Sequence, residues 1–362
     1  MLNSLLSGDL PRSKILSAAL IAIVVGLLIT PFLFPGSRSM NVAATIAVFI
    51  LVVASFDLLL GFTGILSFAH TMFFGIGAYG VAMGSEKLGE EFGLWTGMGI
   101  GFAGALALTV VFALFISLFS LRVKTLYFAM ITLAVAAAFQ IMCQTQTELT
   151  GGEDGINFIV PDILMPYTEL GMKFFGQDLT GSHIAFYSLL LIVAVLFLVL
   201  LRVVNSPFGR VLQAIRDNDF RAEALGYRAV VYRSVSSIIG SVFVCCAGAL
   251  LAMWLRYNGP AVTLGFDIMI NILIMSVIGG LATMYGAVIG ATIYVLAQNY
   301  LQDIMKLAES SVEGIPIVEG IMHPDRWLLW MGVLFILCVY YFPFGIVGKL
   351  RMMSALRRAK QG

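Results

Sequence analysis

Apolar runs of about 20 residues recur along this chain with only short polar intervals, and that spacing leaves few folds open. They fall near 16–34, 41–60, 65–83, 97–120, 125–143, 184–204, 232–254, 267–282, 284–301 and 327–346. Backbone polar groups in lipid must be satisfied within the segment or around a closed barrel, and none of these runs alternates as a barrel strand does. The pattern therefore predicts an all-α polytopic membrane protein of about ten transmembrane helices, built as a single domain over 1–362. Composition excludes a soluble core: 60% of residues are hydrophobic and 11% charged, with a mean hydropathy of +0.99.

Charge predicts the orientation. With an even number of spans, both termini share a side, and the Lys and Arg residues favour one side strongly. Two precede the first span, Arg122 and Lys124 follow the fourth, six run from Arg202 to Arg233 and five follow Gly348, which puts 15 of the 21 on the side read as cytoplasmic. The expectation is an N-in, C-in membrane protein. Arg12 and Lys14 precede a first run too long for a signal core, and it ends without a small-x-small cleavage site, so it reads as a retained span. A net charge of +1 gives no case for nucleic acid. Cys143, Cys245, Cys246 and Cys338 lie within or at the end of apolar runs without a CxxC pair or a histidine at ligand spacing, which predicts no metal site.

Two segments outside the spans carry structure of their own. The outer segment 144–183 includes "TGGEDGI", where Gly151, Gly152 and Gly155 predict a turn-rich ordered loop rather than a helix. His183 falls at its end, where exposed loop is the default reading. The inner segment 202–233 contains "SPFGRVLQAIRDNDFRAEALG" at 206–226. Phe208, Leu212 and Ile215 recur there at i, i+4 and i+7, an apolar stripe on a short helix, with Arg210, Gln213 and Arg216 elsewhere on its circumference. Asn218 or Asp219 is placed to cap a second short helix that Gly226 ends. Arginines near anionic headgroups contribute about 1 kcal/mol each, which accounts for contact with membrane lipids. It does not account for capped helices with Asp217, Asp219 and Glu223 among the arginines; docking of a cytosolic partner accounts for both.

The stretch 206–226, with "AEALG" at its end, resembles the EAA-type loop of bacterial ABC-transporter permeases, and more narrowly that of the branched-chain amino acid permeases, the LivM-type half of a paired permease. "LLLGFTGILSFAHTMFFGIGAYG" (58–80), "TGGEDGI" (150–156) and "SVIGGLATMYGAVIGA" (276–291) resemble the same family in the same order. The resemblance implies a type II ABC importer permease fold in which 144–183 is a periplasmic loop and 202–233 a cytoplasmic coupling-helix loop. It implies that Phe208, Arg210, Leu212, Ile215, Arg216, Glu223, Ala224 and Gly226 meet an ATPase. It also implies the partners: a second homologous permease of LivH type, two cytosolic ABC ATPase subunits and a periplasmic solute-binding protein. ATP and magnesium are then held by the ATPase subunits. No cofactor is expected on this chain, whose "GIVGKL" at 345–350 lacks the spacing and hydroxyl of a phosphate loop.

Transporters place solute sites at broken helices in matching positions of two halves. Gly61 and Gly64 interrupt the passage from the second run to the third, and Gly279, Gly280, Gly286 and Gly290 surround the turn between the eighth and ninth. The other reading of these glycines is close helix packing. Asp57, Thr63, Ser67 and His70 cluster at the first break and are candidates for a substrate pathway, because polar groups in a span are costly; Asn271 and Ser276 are their counterparts in the second half. The leading expectation is a non-catalytic permease subunit of an ATP-driven importer for branched-chain or related amino acids or similar small polar solutes. The alternative is a self-contained secondary transporter in which Asp57 and His70 carry protons or a coupling ion. A membrane enzyme lacks any visible nucleophile and base pair.

Overall fold

The computed structural model describes residues 13–34, 36–120, 125–174, 177–311 and 323–359. Helices α1 (Lys14–Leu33), α2 (Ser37–Thr63), α3 (His70–Phe92), α4 (Leu94–Ser120), α5 (Thr125–Thr145) and the single turn α6 (Thr147–Thr150) lead into the extramembrane segment. Helix α7 (Gly181–Val204) follows, then the short pair α8 (Pro207–Asp217) and α9 (Asp219–Ala224), the long α10 (Ala229–Leu255), the turn α11 (Pro260–Thr263), α12 (Phe266–Gly279), α13 (Met284–Ser311), α14 (Trp327–Tyr341) and α15 (Gly345–Ala359). Each of the ten apolar runs falls largely on helix, and eight helices among the described residues are long and apolar enough to cross a membrane. Runs 65–83 and 284–301 fall largely on α3 and α13; α3 is rich in Gly and ends in charged residues, and α13 mixes in Gly, Gln and Asn, so neither meets that measure.

Helix α2 is the axis of the bundle. Its apolar residues run all the way round it, and nearly every one is buried against α7, α10, α12 and α13. Helices α1, α4, α5 and α14 instead expose large apolar side chains such as Val24, Val111, Met130 and Ile336, which suits helices that face lipid tails.

Segment 144–183, read from its turn residues as a loop, also contains strand among its described residues. Strand β1 (Ile156–Asn157) pairs antiparallel with β4 (Tyr257–Asn258), which follows α10, and β2 (Glu169–Phe174) pairs with β3 (Gln177–Thr180) in a bulged hairpin. Gly151, Gly152 and Gly155 all have positive φ, between 63° and 72°, which glycine alone adopts without steric cost. The Tyr257 hydroxyl donates to the Asp154 carbonyl at 3.0 Å, so the loop is strapped to the bundle. His183 is not in a loop. It lies in the first turn of α7, where its Nδ1 accepts from the Thr180 N–H at 3.2 Å in a capping box.

Candidate functional site

Helices α8 and α9 form a compact knob between α7 and α10. Ser206 precedes α8 with Pro207 at its first position, where a missing N–H costs nothing. The Asn218 side chain then accepts from the Arg221 N–H at 3.0 Å and caps α9. Gly226 turns the chain with φ of 92°, and the Arg233 guanidinium closes the knob on the Asp219 carboxylate at 2.9 Å.

The apolar stripe expected to meet a cytosolic partner faces the chain itself. Leu212 is 0% and Ile215 1% exposed. Leu212 joins the main core, while Ile215 packs with Ala222, Ala229, Val211 and Tyr232. Phe208 is half-buried and stacks on Tyr232. The reason is geometric: a short helix beside a bundle buries its apolar face there first, because that face is adjacent in the chain and needs no second molecule.

What the knob presents outward is a different set. Arg210, Gln213, Arg221, Glu223, Ala224 and Gly226 are exposed, and among them stand two large apolar residues absent from the sequence-based list, Phe220 at 86% and Leu225 at 77% exposure. Helical periodicity holds no signal for them: Asn218 is extended between the two helices, so the phase of the 208, 212, 215 stripe does not continue into α9.

Arg216 is exposed along part of its length, yet its Nη1 donates to the Gly61 carbonyl at the end of α2. Just beyond, Gly64 ends α2 in the left-handed region with φ of 74°. Between α2 and α3 the chain is not helical, and part of its backbone finds side-chain partners: the Phe68 N–H donates to Thr132 Oγ1 on α5 at 3.0 Å and the Ala69 N–H to Ser67 Oγ at 3.4 Å. Irregular backbone inside a bundle requires such partners.

Asp57 is 2% exposed and lies one turn before Gly61. Its two carboxylate oxygens accept from the backbone N–H groups of Ala282, at 2.9 Å, and Thr283, at 3.0 Å. These groups precede α13, so the carboxylate sits at the positive end of that helix from across the bundle. The two glycine breaks, 225 residues apart at Asp57 and Ala282, thus meet at one point. Gly61 makes the approach possible, because a Cβ there would sit 2.5 Å from the Ala282 nitrogen. Gly279, Gly286 and Gly290 are close-packing positions: Gly279 touches the Gly286 backbone, and Gly290 touches the Met275 backbone. Gly280 has φ of 114° and packs beside Gly345, where α15 starts.

The remaining pathway candidates lie inside the bundle. Thr63 Oγ1 donates to the Leu59 carbonyl at 2.6 Å, and Tyr294 donates to Asn271 Oδ1 at 2.5 Å, joining α12 to α13. The Ser276 hydroxyl is buried without a partner among the described residues. The His70 ring meets Phe56 edge-on at 5.1 Å. It sits near the backbone of Ser55 and Ser67, with neither nitrogen in normal hydrogen-bond geometry. No group of three or more His, Cys, Asp or Glu among the described residues is placed to hold a metal ion.

A multi-pass bundle of apolar helices, with two broken passages meeting in its interior and a folded knob at one end, defines a membrane transport protein of the permease class. The chain belongs to the family described as branched-chain amino acid transport system / permease component, whose model matches residues 39–339. It is 26% identical over 337 residues to the high-affinity branched-chain amino acid transport system permease protein LivM of Salmonella typhimurium, covering 89% of this chain and 76% of that protein. It is 29% identical over 253 residues to the probable LivM of Methanocaldococcus jannaschii, covering 69% and 68%, and 23% identical over 274 residues to LivH of Escherichia coli, covering 74% and 86%. No solved structure matches it significantly. The protein is therefore a permease component, multi-pass in the inner membrane.

Proposed function

We propose that this chain is one of two permeases in an ATP-driven importer of branched-chain amino acids or similar small polar solutes, and that a cytosolic ABC ATPase docks on the outward face of α8 and α9. The observation that carries the reading is the knob: a capped helical pair, clipped to the bundle by its apolar stripe and by Arg233–Asp219, that holds Phe220 and Leu225 out in water among charged residues. Large apolar side chains rimmed by charge are what a protein partner buries, at about 25 cal/mol per Å² before ordering costs. The positive-inside distribution of Lys and Arg supports a cytosolic position for this knob.

The second permease would be a LivH-like chain, and two ATPase subunits would carry ATP and magnesium, leaving this subunit non-catalytic. A solute-binding protein would deliver cargo at the opposite end, where the strapped 150–156 loop exposes Glu153 and Asp154. The secondary-transporter reading has protons or a coupling ion carried by His70 and by the intramembrane carboxylate of Asp57. Both of its oxygens are engaged by backbone N–H groups, which removes that motive.

Purification with its neighbouring subunits tests the proposal. ATPase subunits retained by the wild type, and uptake in liposomes only with ATP and the binding protein, are the expected results. Uptake by this chain alone without ATP refutes it.

A further inference from the structure

We infer that Arg216 and Asp57 form a relay that ties the α8–α9 knob to both helix breaks, so that a displacement of α8 carries the end of α2 and the α12–α13 turn with it, and that Asp57 is a positioning residue of this relay rather than a solute contact. The inference rests on the reading that a motor moves α8.

The first link is the Arg216 guanidinium on the Gly61 carbonyl. Arg216 also packs under the next turn of the break: a Cβ at Gly64 would lie 3.3 Å from Arg216 Cγ. The second link is the Asp57 carboxylate, one helical turn before Gly61, on the N–H groups of Ala282 and Thr283. Both links end on backbone atoms, so they hold secondary elements rather than mobile side chains, and both involve a charged group, the stronger class of hydrogen bond. The turn they reach is constrained. Ala282 holds a φ of 60° without being glycine, and Thr283 Oγ1 closes it by donating to the Gly280 carbonyl at 2.5 Å. On its far side, Gly280 lies against Phe344 and Gly345 at the start of α15. One chain of contacts therefore runs from α8 through α2 to α13 and α15. Coupling of this kind needs elements with discrete arrangements joined by contiguous bonds, and the interrupted helices supply the hinges.

The test uses the complete transporter, with its permease partner, ATPases and binding protein, in proteoliposomes, measuring solute taken up per ATP hydrolysed. Arg216→Ala and Asp57→Ala are expected to keep the ATPase subunits and their hydrolysis while lowering uptake per ATP roughly tenfold, the factor set by losing a charge-assisted hydrogen bond. Arg216→Lys, which keeps a cationic donor, should restore most of the ratio. If Asp57→Ala does not accumulate in the membrane, Asp57→Asn is read in its place, since it keeps one acceptor and loses the other. An unchanged ratio in the Arg216 and Asp57 variants overturns the relay and leaves the docking proposal standing. An Asp57 variant that changes only the dependence on solute-loaded binding protein, at normal coupling, assigns Asp57 to the pathway and overturns the relay as well. Release of the ATPase by Arg216→Ala makes Arg216 a direct docking contact and also overturns it. ATPase retention in a Phe220→Asp, Leu225→Asp variant would instead defeat the docking reading itself.

Discussion

The Phe208 ring on α8 stacks on Tyr232 near the start of α10, with centroids 5.7 Å apart and planes 23° from parallel. Tyr227 meets the same Tyr232 edge-on at 5.8 Å. These rings, with Leu212 and Ile215 behind them, make the α8–α9 pair a rigid extension of α10 rather than a loose loop. A partner that pushes on the knob therefore pushes on helices that reach the far end of the bundle.

The buried stripe and the exposed tip should separate in mutagenesis. Leu212→Asp or Ile215→Asp puts a charge without a partner into a dry interface, a change costing several kcal/mol. Loss of the protein from the membrane is expected, or a markedly lower Tm in detergent. Normal accumulation with a normal Tm would show that the stripe is not packed.

Phe220→Asp together with Leu225→Asp alters two side chains that touch little of the chain, and surface changes of this kind stay within about 0.5 kcal/mol. Membrane abundance and Tm should match the wild type while the ATPase subunits no longer copurify. Abundance is read by immunoblot and docking by pull-down from the same membranes.

Asn218→Ala removes the only side-chain cap of α9 among the described contacts, at a cost of about 1 kcal/mol. Amide exchange at Arg221 and the following turn should quicken by roughly five- to tenfold, with exchange in α10 unchanged. An unaltered Arg221 amide would contradict the cap.

The two glycines at the end of α2 should differ in severity. A methyl at Gly61 meets the Asp57 carboxylate and the Ala282 backbone, an overpacking cost of about 1–3 kcal/mol that also separates the two breaks. Gly64→Ala bears mainly the left-handed backbone cost of about 1–2 kcal/mol. Both variants should lower Tm, but Gly61→Ala should lose far more transport at equal abundance. Equal losses in the two would show that the contact between the breaks has no functional weight.

At the opposite end, Tyr257→Phe deletes the hydrogen bond to the Asp154 carbonyl, worth about 1 kcal/mol. Limited proteolysis within 150–160 should then proceed faster than in the wild type. Gly155→Ala should accelerate it further, because it forces a φ of 71° on a residue with a Cβ aimed at the Asn258 carbonyl.

Read as a linear chain, the residues already determine a polytopic helical bundle, because apolar runs of membrane length admit no other way of satisfying the backbone. They also determine the two short helices of the knob, since Pro207, Asn218 and Gly226 mark their boundaries by local chemistry alone. The family was legible for the same reason: its motifs are contiguous stretches. Tertiary structure alone decided which neighbour covers the Phe208, Leu212 and Ile215 stripe, because periodicity gives a stripe its phase but not its occupant, and the bundle took the face that had been expected to meet a partner. It also decided the partners of Asp57, since Ala282 and Thr283 lie more than 200 residues along the chain. The pull of a carboxylate on two N–H groups depends on distances of about 3 Å, and no spacing in a sequence encodes a distance between residues so far apart.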